Sequence, residues 1–239
     1  MDLSQEMKVV YVTALITSPS QQKSTERYLE LGTWLFDIGV SVYVFVDASL
    51  ESLARSWTLK WPHVKIAGVV QLKDLELAKY THVELPRVRN PHKDTHDYLA
   101  IQNEKLGFLS DVAKLVSDDH EISHLAWIDF GIAHVIKDRL QVAQFLREVG
   151  PSLKDSKLWA PSAWPMHTNM SLDHVCWTFL GGFLVAPKTI VQDVWARQKK
   201  IMQDLIPKIS WEVNIWTYFK DVFETYPADH NDSMILNCV

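Results

Sequence analysis

From Val9 to Ile16 the chain is apolar except for Thr13, and mostly β-branched. A run without polar alternation predicts a strand covered on both faces, as in a mostly parallel sheet. The polar segment 17–23 predicts a loop. Ser24 or Thr25 can cap a helix in which Tyr28, Leu31, Leu35 and Ile38 recur at spacings of three, four and three, and Gly39 ends it. Val40 to Val46 is a second apolar run, ending at Asp47, so the chain to that point predicts a βαβ unit.

Beyond Asp47 the pattern loosens. Val64 to Val70 predicts a third strand, Leu72 to Lys79 a short helix, and Pro86 to Pro91 an extended loop carrying Arg87 and Arg89. From Asp94 or Thr95 a single long helix is expected, with Leu99, Leu106, Leu109, Ala113 and Val116 as its apolar stripe and Gln102 and Lys105 one turn apart off that stripe. Leu125 to Ile128 leads as a buried strand into Asp129, and Gly131 lets the backbone turn away at once. Helices are expected over Lys137–Val149, Thr189–Leu205 and Trp211–Phe223, the last with Ile215, Phe219 and Val222 inward, and strands over Leu158–Pro161 and Gly181–Pro187. Strands alternating with helices over 239 residues predict one α/β domain spanning 1–239.

Composition narrows the classes. A hydrophobic share of 47% with 22% charged residues describes a chain with a sizeable core. A net charge of −5 offers no overall field for nucleic acid or anionic lipid, so an anionic ligand needs a local group of basic side chains or amides. With two cysteines, one of them next to the terminus, neither a disulfide framework nor a thiolate metal site is indicated, and a cytoplasmic, reducing setting is the expectation. No apolar run is long enough to span a bilayer, so attachment to a membrane would go through a partner. The pattern does not speak to the oligomeric state.

Several chemistries are absent as motifs. The sequence has neither G-x-G-x-x-G nor a P-loop, neither G-x-S-x-G nor H-E-x-x-H. His92 and His96, with Asp97, could face a metal on a helix, but Pro91 makes the stretch a helix start and loop histidines the better reading. What remains is distributed. Asp47 and Asp129 both end strands, and in an open α/β sheet ligands bind at that edge. Asp129 could instead simply cap the turn that follows it. Glu212 opens the last helix, where it could equally complement the helix dipole. Trp164, Trp211 and Trp216 flank polar segments and could stack on sugar rings, although tryptophan is as often core.

Taken in order, Tyr11-Val12-Thr13-Ala14, Ser24-Thr25-Glu26-Arg27-Tyr28-Leu29, Val44-Phe45-Val46-Asp47, Gln102-Asn103-x-Lys105, Trp127-Ile128-Asp129-Phe130-Gly131, Gly181-Gly182-Phe183 and Trp211-Glu212-Val213-Asn214 resemble the WlaTC/HtrL-like family of glycosyltransferases. The resemblance spans nearly the whole chain. It implies a single GT-A-like domain around a mixed, mostly parallel sheet flanked by helices, and transfer from a nucleoside diphosphate sugar, a UDP-sugar favoured, to a hydroxyl of a glycan or glycolipid. It also implies Mn²⁺ or Mg²⁺ as cofactor. In those terms Asp129 and His230 would hold the metal, with Lys105 assisting. Thr13, Arg27 and Asp47 would line the nucleotide pocket, Gln102, Gly182 and Trp211 would complete the substrate site, and Glu212 would be the base of an inverting transfer, with Asp173 or Asp229 in reserve. The chain departs from Asp-x-Asp by carrying Gly131 where the second carboxylate is expected. Two other classes stay open: a nucleotidyltransferase acting on sugar phosphates, which should show a second metal-binding carboxylate and a glycine-rich basic first loop, and a catalytically silent glycan-binding protein, which would not need Asp129.

Overall fold

The structure is a computed structural model and describes residues 8–80, 82–148, 156–165 and 171–227. Strand β1 (Lys8–Leu15) pairs in parallel with β2 (Val42–Asp47) on one side and with β4 (Ile122–Ile128) on the other. Its alternate residues feed two cores, Val10 and Val12 into one, Tyr11 and Leu15 into the other. That double burial is why the run lacks polar alternation.

Helix α1 (Thr25–Asp37) starts at Ser24, whose Oγ accepts from Arg27 N, and stops where Gly39 adopts φ 85°, a left-handed conformation natural to glycine. Helix α2 (Glu51–Lys60) links β2 to β3 (Val64–Val70). It shows no clear apolar period, since only Ala54 and Trp57 are buried. The helix expected over Leu72–Lys79 is instead two tight turns, Leu72–Asp74 and Leu77–Lys79. The Asp74 carboxylate bonds back to Gln71 N at 3.1 Å and closes the first turn before it can propagate.

The long helix expected from Thr95 is also divided, into α3 (His96–Asn103) and α4 (Lys105–Leu115). At Glu104 the backbone is at ψ −5° and the Glu104 amide bonds to Ile101 O, three residues back. The expected stripe of Leu99, Leu106, Leu109, Ala113 and Val116 is buried throughout, but so are all residues from Lys105 to Ser110, so Lys105, which periodicity puts off the stripe, is buried as well. Glu104 itself is half-buried, and its Oε2 accepts from Glu76 N at 2.8 Å.

Helix α5 (Arg139–Glu148) precedes β5 (Leu158–Ser162), and β6 (Phe183–Pro187) precedes α6 (Val191–Leu205). The helix expected over Trp211–Phe223 holds only as α7 (Glu212–Trp216), because Phe219 leaves helical geometry at φ −135°, ψ 37°. Phe223 then begins β7 (Phe223–Pro227), which pairs in parallel with β5. Packing explains the change, since Phe223 lies 4.6 Å from the Phe179 ring and 5.6 Å from that of Trp216.

The sheet order is β3-β2-β1-β4-β6-β5-β7. Only β6 runs against its neighbours, so the sheet is mixed and mostly parallel, with helices packed on it. The expected single α/β domain with such a sheet is what the chain forms. No helix among the described residues is long and apolar enough to cross a membrane.

Two consequences are measurable. A methyl group at Gly32 of α1 would stand 2.1 Å from the Phe130 ring, which cannot retreat because it packs against Phe36 and Trp57. Gly32→Ala should therefore cost about 1–3 kcal/mol in urea unfolding. Burial pushes the Glu104 carboxyl up to about 7, against the bond from Glu76 N that favours its charged form. An acid whose pKa is higher folded than unfolded binds more protons in the native state, so stability should fall as pH rises from the ordinary glutamate value towards 7. Glu104→Gln should flatten that decline in unfolding curves collected at several pH values.

Candidate active site

The antiparallel course of β6 brings its first residues to the same edge as the end of β4. Asp129 N donates to Gly182 O at 2.9 Å, which fixes the aspartate at the carboxyl end of the parallel strands. Its Oδ1 accepts from Trp127 Nε1 at 2.7 Å and pairs with Lys105 Nζ at 3.1 Å. The carboxylate keeps 34% of its surface open to solvent.

Lys105 is the buried centre of this arrangement, 1% exposed. It also donates to Gly181 O at 2.8 Å and to Glu212 Oε1 at 2.8 Å. An ammonium has three hydrogens, and all three are spent. Burial is the largest influence on its pKa and pulls it down, but Asp129 and Glu212 more than reverse that and hold it above the ordinary value. Gly181 is glycine for lack of room, since a Cβ there would lie 2.1 Å from Glu212 Oε1.

Above Asp129 opens a cleft of about 280 Å³. One wall is the end of β1 with the loop after it. Another is the start of α3, and the floor is Trp127, Asp129 and the turn to His134. The loop is tied to α3 by hydroxyls, with Ser18 Oγ donating to Asp97 Oδ2 at 3.0 Å and Ser20 Oγ bonded to Thr95 Oγ1 at 2.7 Å. Tyr28 and Tyr98 both line the cleft, with their phenol pKa values raised, first by burial and then by nearby carboxylates, Asp129 among them. Both hydroxyls therefore stay protonated and able to donate. Lys23 and Lys93 line the same cleft. His134 does too, with Nδ1 bonded to Gly131 O at 2.6 Å.

The residues expected from the sequence are distributed unevenly around this centre. Asp129 and Gln102 line the cleft, Lys105 lies directly beneath it, and Gly182 contributes its carbonyl to Asp129. Thr13 is fully buried in β1 with Oγ1 unpartnered, and does not reach the cleft. Asp47 stands at the same sheet edge, but Oδ2 accepts from Thr17 N and Oδ1 from Ser49, so it caps the turn after β2. Arg27 is exposed and paired with Glu30. Trp211 is buried with Nε1 on Asp94 at 3.3 Å, Trp216 is core, and Trp164 is 41% exposed. Glu212, expected as a surface charge or a base, is 4% exposed and does not line the cleft, its Oε1 held by Lys105. Asp173 pairs with Arg87. His230 and Asp229 lie outside the described residues.

Lys23, Lys93, Tyr98 and His134 were not singled out by the sequence, and Tyr28 was read only as part of the first helix. Their only signal was membership of the loops and helix starts that border strand ends, which many residues share.

The donor set speaks to the expected Mn²⁺ or Mg²⁺. Hard divalent cations take several oxygen ligands. Here one oxygen of Asp129 is already claimed by an ammonium and an indole N–H, and position 131 has no side chain. No cluster of three His, Cys, Asp or Glu that could hold a metal occurs among the described residues. Among the described residues these donors alone do not complete a divalent-cation site, and His230, the other expected ligand, lies outside them.

No protein-family model matches the sequence, and a search of curated proteins finds no match. Among solved structures the chain is similar to 4-diphosphocytidyl-2C-methyl-D-erythritol synthase from Anaerococcus prevotii, at 8% identity and TM-score 0.47 over 97% of this chain and 92% of that one. It is similar to a glycosyltransferase involved in glycosylation of the major capsid of PBCV-1, at 6% identity and TM-score 0.46 over 92% and 81%. Mouse xyloside xylosyltransferase 1 gives 8% identity and TM-score 0.46 over 92% and 84%. At these values the likeness carries no argument about activity, which rests on the site alone.

The ion-pair core makes a direct prediction. Lys105→Met strands Glu212 in the interior and should cost about 3–5 kcal/mol, whereas Lys105→Met with Glu212→Gln should recover much of that loss. Urea unfolding of the two single variants and the double variant measures the coupling.

Proposed function

We propose that the cleft binds a nucleoside diphosphate sugar and that the protein transfers the sugar to a hydroxyl of a glycan or glycolipid acceptor. The observation that supports this most is Asp129. Among the described residues it is the one carboxylate lining the cleft, and it is oriented through Oδ1 by Trp127 and Lys105. A proton acceptor held at fixed orientation beside a half-open cleft is what activation of an incoming hydroxyl requires.

In the transfer, the acceptor oxygen forms a bond to the anomeric carbon and the bond from that carbon to the diphosphate oxygen breaks. The acceptor proton passes to Asp129, and the electron pair leaves with the diphosphate. The leaving group then carries added negative charge, and stabilising it calls for fixed positive charge or donors. The protonated hydroxyls of Tyr28 and Tyr98 lie close enough to respond to Asp129, and both rings, with Trp127 and Phe130, offer flat faces for a base or a sugar. Glu212 takes no part in proton transfer in this reading. It neutralises Lys105, which in turn steadies Asp129.

UDP is the first ligand to test. It should raise the melting temperature by mass action, and UDP-sugar turnover, or donor hydrolysis where no acceptor is in hand, should follow. Asp129→Asn should keep that thermal shift while cutting transfer by roughly 10² to 10⁴-fold. If no nucleoside diphosphate moves the melting temperature, the reading fails.

A further inference from the structure

Lys23 and Lys93 reach the same cleft from two neighbouring segments, one ending the loop after β1, the other just ahead of α3. Each ammonium sits over a cleft tyrosine, Lys23 5.7 Å from the Tyr28 ring centre and Lys93 5.2 Å from that of Tyr98. Both pairs line the cleft that Asp129 also lines. Both lysines are half-buried, and among the described residues neither makes an ion pair. That is unlike Lys79, Lys114 and Lys200, which each hold a carboxylate within one helical turn.

Unpaired, partly desolvated cations lining one cleft are held at a cost. At Lys23 burial lowers the pKa, and repulsion from Lys93 and Arg27 adds to it. The surrounding structure keeps them there all the same, because the loop that carries Lys23 is latched to α3 through Ser18, Ser20, Thr95 and Asp97. On a chain of net charge −5 this is a local reversal of sign, and a ligand bearing two or more negative charges would relieve it.

We infer that Lys23 and Lys93, each seated on a tyrosine ring, form a two-armed clamp for a diphosphate and supply its counter-charge in place of a divalent cation. The inference rests on the proposed nucleotide reading of this cleft and adds to it the source of the positive charge. It fits the donor set around Asp129, which falls short of a cation site. It also separates two roles for lysine. Lys105 has no hydrogen left for a ligand and only positions Asp129, whereas Lys23 and Lys93 have all of theirs to give.

The test is calorimetric titration of the full chain with UDP, uridine and inorganic pyrophosphate, in EDTA and again with Mg²⁺ or Mn²⁺. UDP should bind in EDTA to within about threefold of its affinity with metal. Lys23→Gln and Lys93→Gln should each weaken UDP and pyrophosphate about tenfold or more while leaving uridine unchanged, and Lys→Arg at either position should restore most of the loss. UDP binding that appears only with metal, or that is indifferent to both glutamine variants, overturns the clamp while the nucleotide reading survives. Pyrophosphate binding in EDTA that depends on both lysines, with no contribution from uridine, keeps the clamp and removes the nucleotide. If neither UDP nor pyrophosphate binds under any condition, both fall.

Discussion

Everything at the carboxyl edge of this sheet depends on one buried ammonium. Lys105 joins the end of β4 through Asp129, the entry to β6 through Gly181 O, and the start of α7 through Glu212. Burying one charge among two carboxylates is not by itself a source of stability, because desolvation consumes most of the attraction. What it supplies is geometry. The aspartate cannot rotate without breaking its bonds to Lys105 and Trp127, and Lys105 cannot move without stranding Glu212. The order of the cleft floor is inherited from that constraint.

The sequence made some of this plain and hid the rest, for physical reasons. Inner strands announce themselves because both faces are buried, so β1, β2 and the run into Asp129 stand where their apolar stretches do, while β3, at the edge of the sheet, is marked by its β-branched residues alone. Asp129 and Lys105 were legible as residues, and so was the placing of Glu212 in the first turn of a helix. The role of Glu212 was not, because periodicity reports which face of a helix is apolar and says nothing of a carboxylate drawn inward by a distant lysine. Nor could an apolar stripe reveal the break at Glu104, or that the first turns of α4 are buried on every side, Lys105 included. The strand at Phe223–Pro227 was masked by a helical spacing of Ile215, Phe219 and Val222 that aromatic packing overrides. The clamp lysines left no trace at all, since they meet only once β1 and α3 lie side by side.

Two different treatments of charge coexist around Asp129. Beneath Asp129 a lysine is fully compensated and inert, and above it two lysines are left uncompensated. The first arrangement resists change and the second invites a ligand, and the aspartate is the boundary between them. Aromatic rings serve both, because Trp127 donates to the carboxylate below while Tyr28 and Tyr98 carry the cations above.

The partners of Lys105 are far apart along the chain, Glu212 being 107 residues away and Gly181 76. Contacts of such long range carry a loop-closure cost that tertiary packing must offset. Until α7 docks, Lys105 has no second carboxylate, and Asp129 is held by Trp127 and by a lysine that is itself only partly held. No single stretch of the chain can therefore order the floor of the cleft, and a chain with α7 undocked would keep Asp129 at the end of β4 but leave the lysine beneath it short of a partner.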